Sequence, residues 1–152
     1  MASLVWFRRD LRTTDHPALL AAAAGEGPVH AVVVFTPETW LEHGVGGNQL
    51  TLLCRRVHTL RAELDELGIP LHAAYANTFA ATPDALLALA EDIGADRLHY
   101  GLEHEVDERQ RDESVRSAFE SAGKRVHAHH TQTLLPPDAV QTGTGGPSKV
   151  FT

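Results

Sequence analysis

Apolar residues in this chain occur in two kinds of run. Residues 4–7 and 29–35 are almost wholly apolar and rich in strand-forming side chains, the pattern of strands buried on both faces of a parallel sheet. Other stretches repeat apolar residues every three or four positions and predict helices. The clearest is 50–67, where Leu50, Leu53, Val57, Leu60, Leu64 and Leu67 form one stripe that Gly68 closes. Asp15 stands at an N-cap position before Pro17 and an alanine-rich helix running to about Ala24. Further strands are predicted at 71–75, 97–100 and 124–129, with a helix at 83–93. An acidic junction at 101–109 opens another helix, which reaches about Ala122 and buries Val115, Ala118, Phe119 and Ala122.

Strands that alternate with helices across short turns imply right-handed crossovers. Residues 1–130 are therefore expected to form a Rossmann-like, doubly wound α/β domain with five parallel strands and helices on both faces. Residues 36–49 carry Trp40, His43, Gly44, Gly46 and Gly47 and predict a long glycine-bearing loop at the C-terminal sheet edge, a place that usually serves a ligand or partner. Residues 131–152 lose periodicity and are expected to be an extended linker.

The first strand runs into four charges within five residues, Arg8, Arg9, Asp10 and Arg12, at the edge where open α/β sheets bind ligands. These arginines are expected to pair with Asp10, Asp15 or a neighbouring domain. A net charge of −7 disfavours a free-standing nucleic-acid binder, because phosphate binding draws on excess Lys and Arg. No Gly-x-Gly-x-x-Gly follows the first strand and no Gly-Lys-Ser/Thr segment exists, which disfavours dinucleotide-dependent dehydrogenases and P-loop enzymes. The single cysteine, Cys54, excludes an internal disulfide, fits a reducing cytoplasm and reads as a small buried hydrophobe. No apolar run is long enough to span a bilayer, so no membrane partner is expected. His127 and His129 would share one strand face beside His130, but no third ligand stands at recognisable spacing, so no metal site is expected.

The segment Trp6-Phe7-Arg8-Arg9-Asp10-Leu11-Arg12, followed by Asp15-His16-Pro17-Ala18-Leu19, resembles the opening of the DNA photolyase/cryptochrome family. The likeness continues in order through Thr36-Pro37 with Trp40, Gly68-Ile69-Pro70-Leu71, Val106-Asp107-Glu108-Arg109 with Arg111-Asp112, Leu135-Pro136-Pro137 and Lys149-Val150-Phe151-Thr152. It covers only the family's N-terminal α/β domain. Together with the rule that places strand 1 at the switch point, it implies strand order 3-2-1-4-5.

The resemblance also implies a light-harvesting antenna on this domain, methenyltetrahydrofolate or a deazaflavin, whose contacts fall on His43, Asp107 and Glu108. Asp107 stands where the family usually has Asn. A deazaflavin would use the 35–53 region, with Trp40 stacking on it. FAD and damaged DNA would be held by a helical domain absent from this chain, braced through Arg8, Arg9, Asp10 and Arg12. The expected function is therefore the antenna domain of a light-driven cyclobutane pyrimidine dimer photolyase, without catalytic residues of its own. A cryptochrome-type photoreceptor domain and a free-standing nucleotide-binding or electron-transfer module are the alternatives.

Overall fold

A computed structural model describes residues 1–131, 133 and 145–146. The elements follow as β1 (Ala2–Phe7), α1 (Pro17–Ala23), β2 (Val29–Phe35), α2 (Pro37–Glu42), α3 (Gly47–Glu66), β3 (Leu71–Tyr75), α4 (Thr82–Asp92), β4 (Ala95–Gly101), α5 (Val106–Ser121) and β5 (Arg125–His129), with a single 3₁₀ turn at Phe79–Ala81. All ladders are parallel and the order is β3-β2-β1-β4-β5, as expected. Placing β1 in the centre explains its composition, since every residue of that strand is buried.

Alternation along the strands sends side chains to two separate cores. Leu4, Trp6, Val32, Val34, Leu98 and Tyr100 face α4 and α5, where Leu86, Ala90, Val115 and Phe119 meet them. On the opposite face Val5, Phe7, Ala31 and Val33 pack against Ala18, Leu19 and Ala22 of α1 and Leu60 and Leu64 of α3. Two helices per face make a three-layer domain whose loops converge beyond the C-terminal ends of β1, β2 and β4.

Four expectations need correction. The 36–49 connection is not a continuous loop: Pro37 opens the short helix α2, and α3 starts at Gly47, where the Gln49 side chain accepts a 2.8 Å bond from the Gly46 N–H. The cap of α1 is His16 instead of Asp15. His16 Nδ1 accepts from the Leu19 N–H at 3.1 Å, while Asp15 turns the chain with φ 49°. The α3 stripe is buried only in part: Leu60 and Leu64 are fully buried and Val57 packs partly against the same core, but Leu67 is exposed, as is Cys54 beside the stripe. On α5, Val115 and Phe119 are buried but Ala122 is exposed. The expected linker lies almost wholly outside the described residues.

Candidate functional site

A cavity of about 340 Å³ opens at the C-terminal edge of the sheet, where β1 and β2 end beneath α2 and the first turns of α3 and α5. Its floor is Trp6, Phe7 and Val33. Thr36, Trp40, His43, Val45, Gln49 and Leu53 form one wall, and Phe79, Glu103, Glu108 and Arg111 the other, with Arg8 and Arg9 between them. The mixture of apolar surface and a few convergent polar groups is that of a small-molecule site.

The charged wall is a buried network. Arg8, 6% exposed, donates to Asp112 Oδ1 at 2.6 Å, and its Nε lies 3.7 Å from Glu103. Arg111, equally buried, donates to Glu103 Oε2 at 2.7 Å and to Asp112 Oδ1 at 2.9 Å. Both guanidinium carbons lie over the Trp6 ring, at 4.6 and 4.7 Å, and Arg111 also covers Phe79 at 4.6 Å. Arg9 is more open and ties Glu108 Oε1 at 3.1 Å, Glu103 Oε1 at 3.5 Å and Glu105 to the end of β1. Partial burial works against the Arg9 charge, but the Glu105 bond and the fields of Glu103, Glu105 and Glu108 outweigh it and raise its pKa. Three guanidiniums against four carboxylates, Glu103, Glu105, Glu108 and Asp112, leave the network one negative charge in excess.

Two atoms of this network are buried without a hydrogen-bond partner among the described residues, Arg8 Nη2 and Asp112 Oδ2. Arg8 lines the cavity, so a carbonyl of a ligand there would give Nη2 its acceptor.

Behind the network, Asp10 Oδ2 stands 3.0 Å from His16 Nε2 in a bent geometry that leaves both atoms short of a full hydrogen bond. Because His16 Nδ1 accepts from Leu19, its proton belongs on Nε2, facing Asp10. Burial opposes ionisation of Asp10, yet the His16 contact and the Arg8 backbone N–H hold its pKa below the ordinary carboxylate value. Gly101 makes room for this pair, since a Cβ there would lie 2.6 Å from Asp10 Oδ2.

The structure thus brings Trp40, His43, Glu108, Arg8 and Arg9 to one cavity. Asp107 stays outside it, 61% exposed and 3.3 Å from His43 Nε2. Of the four residues expected to brace another domain, Arg8 and Asp10 have buried side chains, whereas Arg9 is 59% exposed. Arg12 donates to the Asp15 carbonyl at 3.0 Å. The sequence alone assigns no role to Glu103 or Arg111. One signal was available: Glu108, Arg111, Asp112, Val115 and Phe119 repeat at helical spacing, so the charges extend the apolar stripe onto the buried face. Among the described residues no three His, Cys, Asp or Glu side chains converge as metal ligands.

Fold and site define a doubly wound α/β domain with a small-molecule-sized cavity at its C-terminal edge. The DNA photolyase family model matches residues 3–152, and the chain belongs to that family. It is 38% identical over 149 residues to the deoxyribodipyrimidine photo-lyase of Vibrio cholerae and 34% over 150 residues to that of Escherichia coli, covering 98% of this chain in each case but 32% and 31% of the relatives. The cryptochrome DASH of Natronomonas pharaonis is 33% identical over 145 residues, 92% of this chain and 30% of its own. The chain therefore spans about a third of the length of the curated relatives it matches. Among solved structures, a class III photolyase from Agrobacterium tumefaciens superposes with TM-score 0.77 at 26% identity, covering 99% of this chain and 30% of that one.

Proposed function

We propose that this chain is the antenna-binding domain of a light-driven deoxyribodipyrimidine photolyase, and that the cavity holds a planar conjugated chromophore. One observation carries the reading: Trp40 and His43 from the 36–49 segment and Glu108 from α5, far apart in sequence, line the same cavity. Its residues suit such a ring. Trp40 and Phe79 offer aromatic surface, Glu108 can accept from a ring N–H, and the unpaired Arg8 Nη2 can donate to a ring carbonyl. Bound there, the chromophore would absorb light and pass its energy to a flavin elsewhere in the whole protein.

Between the two antenna classes, a deazaflavin or flavin ring is the better match. Five wall residues, Thr36, Trp40, Val45, Gln49 and Leu53, come from the segment that a tricyclic ring would use, whereas Asp107, part of the folate contact set, stands outside the cavity. We further propose that FAD and damaged DNA are held by a helical domain that Arg9 and Arg12 face. The expected compartment is the cytoplasm, which suits the exposed thiol of Cys54. Among the described residues no helix is long and apolar enough to cross a membrane.

Titration of the chain with a 5-deazaflavin and with methenyltetrahydrofolate, followed by ligand fluorescence, tests the reading. The deazaflavin should bind, and Glu108→Gln should weaken it about tenfold or more, since a charge-assisted bond becomes a neutral one. Failure of both chromophores to bind would overturn the proposal.

A further inference from the structure

The edge strand β5 is held to β4 by two unlike sets of side-chain contacts. At its N-terminal end Arg125 donates to Asp96 Oδ2 at 2.8 Å, and Lys124 Nζ donates to the Ala95 carbonyl at 2.7 Å. Toward its C-terminal end the contacts are imidazoles. His99 of β4 stacks on His127 with ring centroids 4.7 Å apart and on His129 at 5.5 Å, and its Nδ1 lies 3.3 Å from His129 Nε2. Leu98 and Tyr100 turn into the core beneath α4 and α5, and Val126 and Ala128 pack partly against that core, so the three rings lie on the opposite side of the sheet. There β5 presents Arg125, His127 and His129 and no apolar side chain, and no residue of the strand is fully buried.

The stack suits neutral rings. His99 is 5% exposed and its Nε2 is buried without a partner among the described residues, so a proton there would be a buried charge with no acceptor. Helix α1, which packs over this face, brings no ionisable side chain to it. Arg97, two residues earlier on β4, adds positive charge, and Asp10 at the C-terminal end is already paired with His16. Burial first, then His127, His129 and Arg97, lower His99 to about 4, and burial, His127 and His16 lower His129. The Arg125 bond lowers Asp96 as well, so the N-terminal end keeps its charges while the histidines titrate.

We propose that β5 is an acid-released strand: protons taken up by the His99–His127–His129 stack detach its C-terminal half from β4, while the Arg125–Asp96 end and the other four strands stay in place. The release is local, distinct from acid unfolding of the whole domain, and it loosens the point where the chain leaves the sheet.

Amide hydrogen exchange of the isotope-labelled chain, read residue by residue by NMR as protection relative to the unfolded rate, tests this. A ring that titrates at about 4 in the closed strand and at 6.5 in the open one makes opening roughly tenfold easier for each pH unit between them. Protection at Leu102, whose N–H donates to the His129 carbonyl, and at residues 127–129 should fall about tenfold or more between about pH 7 and about pH 5. Val5 and Val33 in the inner strands should keep theirs. His127→Gln combined with His129→Gln leaves a side-chain amide that can still meet His99 but takes up no proton, and should remove most of the fall. His99→Phe, which takes away the buried ring itself, should do the same and serves if the double variant does not fold. Equal loss across β1, β2 and β5, no loss at β5, or an undiminished loss in the variants would overturn the proposal.

Discussion

Arg111→Ala tests whether the charged wall of the cavity also stabilises the domain. The side chain is 6% exposed and its guanidinium holds Glu103 at 2.7 Å and Asp112 at 2.9 Å. Without it, Glu103 keeps only longer contacts, 3.7 Å to Arg8 and 3.5 Å to Arg9, and Asp112 keeps Arg8 alone. Removing one partner of a buried ion pair leaves an uncompensated charge and costs about 3 to 5 kcal/mol, a large part of the roughly 5 to 15 kcal/mol that holds a domain of this size together. Arg125 at the sheet edge is the control. Its side chain is 61% exposed and meets Asp96 at 2.8 Å, so Arg125→Ala should cost no more than about 1 kcal/mol. Urea unfolding followed by tryptophan fluorescence measures both. Adding Glu103→Gln to Arg111→Ala should recover part of the loss, because the stranded charge is then removed. An Arg111→Ala variant within about 1 kcal/mol of the unsubstituted chain would refute the reasoning, since that is the range of a surface pair.

Further outcomes follow from other parts of the structure. Gly101→Ala should destabilise the domain by about 1 to 3 kcal/mol in the same unfolding assay, because the new methyl would overlap Thr131 and stand 2.6 Å from Asp10 Oδ2. Acid should weaken the fold in a defined window. Burial and then the nearby His127 and His129 lower His99 to about 4 from its ordinary 6.5, so the unfolded chain takes up a proton that the folded one refuses, and stability falls as pH drops between those values. The effect is at most on the order of 3 kcal/mol, and His99→Phe should flatten that part of the stability profile. Asp10, depressed in the folded state, adds stability above its ordinary 3.8 that is lost as pH falls through its lower folded value. Cys54 should react with a thiol reagent in the native chain as fast as in urea, since it lies on the outer face of α3; strong protection would contradict its placement.

The sheet was legible because its strands obey simple burial rules. Residues 4–7 and 29–35 read as buried on both faces and became β1 and β2, two of the three inner strands. The α3 stripe was over-read: periodicity reports which residues could be buried together, and only the sheet decides how far along the helix there is something to bury them against. Leu60 and Leu64 found it, whereas Leu67 did not. Helix α2 was missed because six residues beginning at Pro37 and followed by Gly44, Gly46 and Gly47 look like a loop at the level of composition. The site was half legible. Trp40, His43 and Glu108 stood out, but Arg111 and Glu103 did not, since charged residues are buried only when partnered and the rest of their network, Arg8 and Arg9, comes from the distant end of β1. His16 displaced Asp15 as a cap because its ring serves Leu19 and Asp10 at once.

The central claim is that the cavity under α2 receives a planar ring. An amide and indole NMR titration of the isotope-labelled chain with riboflavin tests it directly. The account predicts saturable shifts at the Trp40 indole, at amides of Thr36, Val45 and Gln49, and at Glu103 and Glu108, all of which line that cavity. Shifts confined to the outer edge of β5, or none at saturating ligand, would contradict it.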